Sequence, residues 1–382
     1  MRPLPAYPPY RQVHAPKGKR WLAVGAALIL ATVGISSVLR LSESGNGSLL
    51  WPILCVGVVG AVAWGMRVLF YRTSLHNAFM YHREVARVQK AWWMKHQQQV
   101  ALKEAVLLGP AGATPIQWHC LINRDHRQPE ARSEGEGKVL RSQHLFATDT
   151  AGREKQLAKR LVLQWHEQHQ TEPLLTPLRC YWLGSEDAWQ IFATQLALSF
   201  PGTLLPAQPI PWRGEESMSA IVEVLNHSAA EATILCAGCC SVPASSNSEL
   251  PAGEAAVLWL LGNTGKVQFS RGEVFDAGMD ESIVAVTQRA LAQSEMEQPP
   301  DCSFLFSQKN IPDLEKTGWN TTQHIQDLNW GSLAELEAMV VQTLAAIYAE
   351  RNALPCGWLA RDPHHTLALG IVKPYGSGNE DR

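Results

Sequence analysis

The sequence predicts a layered α/β domain carried behind a two-helix transmembrane hairpin. Three observations predict it: a pair of uncharged apolar runs near the amino end, basic blocks on both outer flanks of that pair, and helix patterns alternating with apolar strands from residue 109 onward. With 382 residues the chain can hold both an anchor and a core of ordinary size. The formal charge of -2 gives no reason to expect a nucleic-acid partner.

The first apolar run, "WLAVGAALILATVGISSVL", covers 21–39, and the second, "LLWPILCVGVVGAVAWGM", covers 49–66. At about 1.5 Å of rise per residue, each reaches the ~30 Å of a hydrocarbon core. Trp21, Trp51 and Trp64 sit near the ends, as interfacial aromatics do. A signal peptide has a shorter apolar region, about 7–15 residues, and would not be followed by a second span. Residues 21–71 therefore read as a hairpin whose first partner is the lipid bilayer. Residues 1–20 hold Arg2, Arg11, Lys17, Lys19 and Arg20 with no acid, while 72–95 hold Arg72, Arg83, Arg87, Lys90 and Lys95 against Glu84. The bias of Lys and Arg places both flanks, and hence both termini, in the cytoplasm, with a short turn outside. A reducing compartment argues against structural disulfides among the eight cysteines. Cys55 lies within the second span.

Along the chain, 1–20 is proline-rich and reads as a disordered basic tail against anionic headgroups. The stretch 72–108 reads as a juxtamembrane segment with one long helix from 73 to 104, because Phe79, Val85, Val88, Trp92 and Val100 recur at near-helical intervals. The α/β domain spans 109–375. Within it "RSEGEGK" (132–138) is a polar loop, and "TAGREKQLAKRLVLQWHEQHQ" is an amphipathic helix with Leu157, Leu161 and Trp165 on one face. "LRCYWL" is a strand, and "SEDAWQIFATQLALSF" is a helix with Ser185 as N-cap. "MSAIVEVLNHS" is a helix and "ATILCAG" a strand of a buried, largely parallel sheet. "AAVLWLLG" and "KVQFSRGEVF" pair as neighbours through the turn Gly262-Asn263-Thr264-Gly265. "ESIVAVTQRALAQSE" is a helix, "CSFLFS" a strand, "LAELEAMVVQTLAAIYAERN" a helix, "ALPCGWLARDPHHT" a loop and "TLALGIVKP" a last strand. The tail 376–382 reads as flexible. No short sequence repeat is evident. Several of the 14 tryptophans read as core or membrane-interface residues, and the high count also fits a protein-binding surface.

The densest chemistry is "ILCAGCCS", three cysteines within five residues. Cys236-Ala-Gly-Cys239 has zinc-ribbon spacing, but no second pair supplies the other two ligands, and Cys120, Cys180, Cys302 and Cys356 are isolated. A redox C-x-x-C opens a helix, whereas these cysteines close a strand. No metal site is expected, and the thiols read as small core residues. A nucleophilic Cys239 or Cys240 needs a base; the candidates are His364 and His365 in the polar loop before the final strand. "GNTGKVQ" (262–268) imitates half of a phosphate loop but lacks its first glycine and its Ser/Thr, and "GPAGATP" (109–115) lacks the lysine. No cofactor site is expected.

"PAGEAAVLWLLG" resembles the "PGEGAA" segment in the second half of thiolase and β-ketoacyl synthase folds, with Ala252 inserted and Ala255 in place of a glycine. The resemblance covers roughly 170–375. It implies a thiolase-like α/β fold and, in its condensing enzymes, a cysteine at a helix N-terminus with two histidines in glycine-flanked motifs. None of those strings occurs here, so the resemblance implies a degenerate, non-catalytic copy. The arrangement of basic tail, membrane hairpin and such a domain also looks like accessory proteins of type VI secretion clusters of Gram-negative bacteria. The expectation is a bacterial inner-membrane scaffold or adaptor with protein partners, and secondly a membrane-tethered acyl-handling enzyme.

Overall fold

A computed structural model describes residues 5, 7–11, 13–42, 50–143, 145–169, 176–307, 311, 313–362 and 364–376. The chain divides into two compact units, Arg2–Trp93 and Met94–Arg382.

The first unit is built on α1 (Gly18–Ser42) and α2 (Leu50–His96). Each is long and apolar enough to cross a membrane, over Gly18–Ile35 and within Trp51–His96. Their apolar side chains point outward, Leu22, Leu30, Ile35, Trp51, Val59 and Leu69 all being exposed. Water makes such surface costly and lipid does not. The described part of the amino-terminal tail is not free: Tyr81 donates its hydroxyl to the Pro8 carbonyl at 2.6 Å and its ring lies tilted 5.5 Å from that of Tyr10, and Arg67 donates to the His14 carbonyl at 3.2 Å. Proline fixes the tail's extended path and leaves its carbonyls for these donors. The turn read between the spans and the tail read from 376 fall largely outside the described residues.

The helix read over 73–104 is corrected at both ends. It is continuous with the second span, and it stops at His96. Val100–Leu108 is instead strand β1. Helix preferences among its residues differ by no more than ~0.7 kcal/mol each, whereas burying a Val or Leu side chain is worth about 1.5–3 kcal/mol. Val100, Leu102, Val106, Leu107 and Leu108 are all buried, so pairing decides.

The second unit continues with α3 (Pro115–Ile122), whose Thr114 and Gln117 form a reciprocal capping box. The segment read as a polar loop is a hairpin, β2 (Arg132–Glu134) and β3 (Gly137–Val139), turning at Gly135 with φ 59°. Then come α4 (Thr150–Gln168), β4 (Arg179–Leu183), α5 (Glu186–Ser199), β5 (Ile210–Pro211), α6 (Glu215–Asn226), β6 (Thr233–Ser241) and β7 (Glu254–Gly262). Ser185 caps α5 as expected. The chain closes with β8 (Val267–Phe269), β9 (Glu273–Phe275), α7 (Ile283–Gln293), β10 (Ser303–Leu305), β11 (His324–Ile325), α8 (Asp327–Trp330), α9 (Glu337–Asn352), β12 (Cys356–Arg361) and β13 (Leu367–Pro374). β12 lies where a loop was read; "CGWLA" buries on both faces, which hides the alternation that marks a strand.

Among the described residues eleven strands form one sheet, in the order β11-β10-β12-β13-β8-β1-β7-β6-β4-β5, with β9 beside β13. The sheet is mixed rather than largely parallel: β6 is parallel to β4 but antiparallel to β7. The expected hairpin of β7 with β8 does not form, because β1 inserts between them and pairs antiparallel with both. The order also contains a repeat that no sequence string betrays. Counting from β1, the first half is arranged third-second-fourth-fifth-first (β5-β4-β6-β7-β1), and counting from β8 the second half is arranged identically (β11-β10-β12-β13-β8). In each half the fifth strand alone runs antiparallel. The two first strands, β1 and β8, join the halves. Both outer edges are blunt: β5 and β11 have two residues each, and β5 ends on Pro211.

α6 and α9, which precede the fourth strand of each half, cover one face with Met218, Ile221, Leu225, Met339 and Leu344, while α4 and α5 cover the other with Leu161, Trp165 and Phe192. The Glu of "PAGE", Glu254, is fully buried at the start of β7. Arg153 of α4 binds both of its oxygens, at 2.7 and 2.8 Å, and the Ser142 amide donates to it at 2.6 Å. Arg153→Met leaves that carboxylate only the Arg141 guanidinium, 3.8 Å away, as a cation and should cost about 3 kcal/mol, whereas the double variant R153M/E254M should recover part of the loss. Urea unfolding of the detergent-solubilised chain measures both.

Candidate functional site at the amino ends of two buried helices

The three clustered cysteines occupy β6, where side chains alternate between faces. Cys236 therefore joins the core under α6 and α9, while Cys239, three residues on, joins the core under α4 and α5. Two thiols on opposite faces of one strand cannot grip a single ion. The Cys239 thiol is hydrogen-bonded to the Glu154 carbonyl at 3.7 Å and that of Cys240 to the Leu333 carbonyl at 3.5 Å. Burial drives the Cys236 and Cys239 thiols well above their ordinary range and pushes Cys240 up to about 12. At neutral pH these are inert thiols.

His364 and His365 are exposed and are organised by Asp362, not by a cysteine. Asp362 Oδ1 accepts both backbone amides at 2.9 Å and lies 3.0 Å from His365 Nδ1. The structure does not bring Cys239 or Cys240 together with either histidine. Among the described helices of this unit, none carries a cysteine in its first turn, the position that the thiolase resemblance implies.

Two glutamates stand at comparable places instead. The equivalent helices of the two halves, α6 and α9, each begin with a buried glutamate, Glu215 and Glu337. A carboxylate suits a helix amino end because the macrodipole is positive there. Glu337 is gripped by Arg361 of β12 through both oxygens, one bond measuring 2.7 Å, and the same guanidinium lies 3.7 Å from Asp327. Asp327 in turn accepts from the Ser307 amide at 2.7 Å and its hydroxyl at 2.9 Å. Burial raises the Glu337 pKa even against the lowering by Arg361. These partners lie 20 or more residues apart in sequence and no motif announces them; only the run of Glu at helix starts was available as a signal.

Glu215 has no cation in hydrogen-bond contact. Gly272 donates its amide to Oε2 at 2.8 Å and Gln342 of α9 donates to Oε1 at 3.3 Å. A side chain on Gly272 would collide with that carboxyl, which explains the glycine. Burial, with further repulsion from Glu273 and Asp362, raises the Glu215 pKa to about 8. The group is thus a neutral acid at pH 7, able to hold a proton but without a nucleophile beside it to serve. Its folded-state pKa exceeds the unfolded one, so its contribution to stability is complete below the ordinary carboxylate range and is lost as pH rises through about 8. Glu215→Gln keeps a neutral amide there. Relative to the wild type it should gain thermal stability progressively from about pH 4.5 up to about pH 8 and little more above that, as scanning calorimetry at a series of pH values reads directly.

No family model matches the chain, and no curated protein matches it. Solved structures do. The ketosynthase from module 1 of the bacillaene synthase of Bacillus amyloliquefaciens superposes with a TM-score of 0.50 at 11% identity, covering 75% of this chain and 75% of that one. The ishigamide ketosynthase/chain length factor gives 0.49 at 12% identity over 73% of this chain and 100% of that one. The 3-oxoacyl-acyl-carrier-protein synthase III of Aquifex aeolicus gives 0.47 at 11% identity, over 72% and 99%. At such identity the likeness speaks for architecture alone. The carboxy-terminal unit is a mixed, layered α/β domain of thiolase-like fold.

Proposed function

We propose that this protein is a membrane-anchored adaptor whose thiolase-like domain binds protein partners and performs no acyl chemistry. One observation carries the reading: the helix starts that could present a nucleophile hold buried glutamates instead, Glu337 in an ion pair with Arg361 and Glu215 in backbone and amide hydrogen bonds. A ligand-binding acyl site needs an open, reactive centre, and here the carboxyls of Glu215 and Glu337 are both buried and hydrogen-bonded. The two apolar helices support attachment to a bilayer. The excess of Lys and Arg on both flanks supports a cytoplasmic placement of both termini, in a bacterial inner membrane. The resemblance to accessory proteins of type VI secretion clusters rests on domain arrangement alone, and makes that machinery the first set of partners to test.

A second reading, a tethered acyl-handling enzyme, draws on the ketosynthase-like architecture. Thiol labelling separates the two. On the adaptor reading, a thioester substrate leaves the labelling of Cys239 and Cys240 unchanged, and both react slowly at pH 7; acylation of either overturns it. Cross-linking in native membranes followed by purification of the full chain should recover stoichiometric protein partners, and a chain recovered alone argues for the enzyme. Reporter fusions after residues 45 and 110 should report opposite sides of the membrane, the second being cytoplasmic.

A further inference from the structure

Three residues that are remote in sequence meet at one end of the second half-sheet. β10 runs parallel to both β12 and β11, with Ser303 opposite Gly357 and Phe304 opposite His324. Stepping one residue back sets Cys302 opposite Cys356, and the Gly357 amide donates to the Cys302 carbonyl at 2.9 Å. Adjacent strands are about 4.7–4.9 Å apart, within the Cα separation that a disulfide spans. Cys302, Phe304, Cys356 and Trp358 share one face and one core, against which Tyr348 of α9 packs. The His324 ring lies 4.6 Å from the Phe304 ring, and Tyr348 lies 6.2 Å from it on the other side. Cys356 of β12, His324 of β11 and Tyr348 of α9 are the groups that act on the Cys302 thiol, and the Cys356 thiol itself donates to the Gly357 carbonyl at 3.5 Å. Both cysteines are buried and free; half-buried His324 and Tyr348, with exposed Asp301 beside them, form the rim toward solvent.

This environment is the reverse of that on β6. Hydrogen bonds from Cys356 first, against the opposing effect of burial, and then from His324 and Tyr348 bring the Cys302 pKa down to about 5, while Cys356 is driven well above its ordinary range. The two neighbours are thus pushed in opposite directions, Cys302 toward the thiolate and Cys356 toward the thiol. That is the division of labour between an attacking and a resolving cysteine.

We infer that Cys302 and Cys356 are a peroxide-responsive thiol pair, Cys302 attacking hydrogen peroxide and Cys356 resolving it to an intramolecular disulfide. In the first step the Cys302 sulfur bonds to one peroxide oxygen, the O–O bond breaks, and the departing hydroxide takes a proton to become water. Cys302 is then a sulfenic acid. In the second step Cys356 sulfur bonds to Cys302 sulfur, the S–O bond breaks, and the hydroxide leaves with the Cys356 proton as a second water. Two thiols are oxidised by two electrons and one peroxide is reduced. A dithiol reductant reverses the change. The disulfide would tie β10 to β12 beneath α9, the central helix of this half.

The test uses the full chain in detergent micelles, treated with hydrogen peroxide at pH 6.5 and mapped by peptide mass spectrometry. The expected product is a bond between Cys302 and Cys356, removed by a dithiol reductant. Cys356→Ser should leave a Cys302 sulfenic acid that dimedone traps, and His324→Asn should slow oxidation about tenfold by releasing the thiolate from one of its donors. Mapping of the unaltered chain stands even if a variant fails to fold. A bond between any other pair, or a Cys302 that stays reduced while the exposed Cys55 is oxidised, overturns the inference.

Discussion

Everything in the carboxy-terminal unit depends on β1 being held on both sides. Its outer neighbours are the fifth strand of its own half and the first strand of the other, so one nine-residue segment closes one half and joins the two. Remove its pairing and the sheet separates into a set of four strands, β4 to β7, and a set of six, β8 to β13, each with a buried edge suddenly open to water. The strand begins four residues after the long helix ends. The element that follows the long apolar helix in the chain is therefore the one on which the rest of the domain is assembled.

The helices were legible because their signals are local. Asp149 and Ser185 each close the first turn of the helix that follows, and a three- or four-residue apolar spacing needs no distant partner to be read. The strands were legible only where chemistry and context agreed. β6 and β7, apolar throughout, read correctly, but β1 contains Leu, Lys, Glu and Ala and imitates a helix until its neighbours are known. β12 was obscured in another way, since Pro355 and Gly357 punctuate it as though it were a loop. The twofold repetition of topology was invisible for a physical reason. What the halves share is a hydrogen-bonding order, and many residue sets satisfy that order equally well; between its second and third strands one half has the helix α5, while the described residues of the other have a single 3-10 turn at Leu314–Thr317.

The candidate site shows the same division. That Cys236 and Cys239 cannot cooperate follows from strand parity and was available from the sequence alone once the strand was assigned. Glu215, Glu337 and the Cys302 cluster were not. Their partners come from strands and helices distant in the chain, Arg361 lying 24 residues from Glu337 and Gln342 lying 127 from Glu215. Two buried carboxyls at matching helix starts have taken different solutions: one kept its charge with a guanidinium, the other became neutral in the company of amides. A fold that can host both at related places is tolerant of what occupies its centre.

The blunt outer edges of the sheet carry a consequence for copies of the chain held close together. A long, unprotected border strand would invite the same strand of a neighbouring copy to add to it, and tethering to a surface multiplies such encounters. Here one border is cut to two residues and stopped by a proline, with Pro206 and Pro209 just ahead of it. Copies of this domain can thus reach high local density while remaining separate.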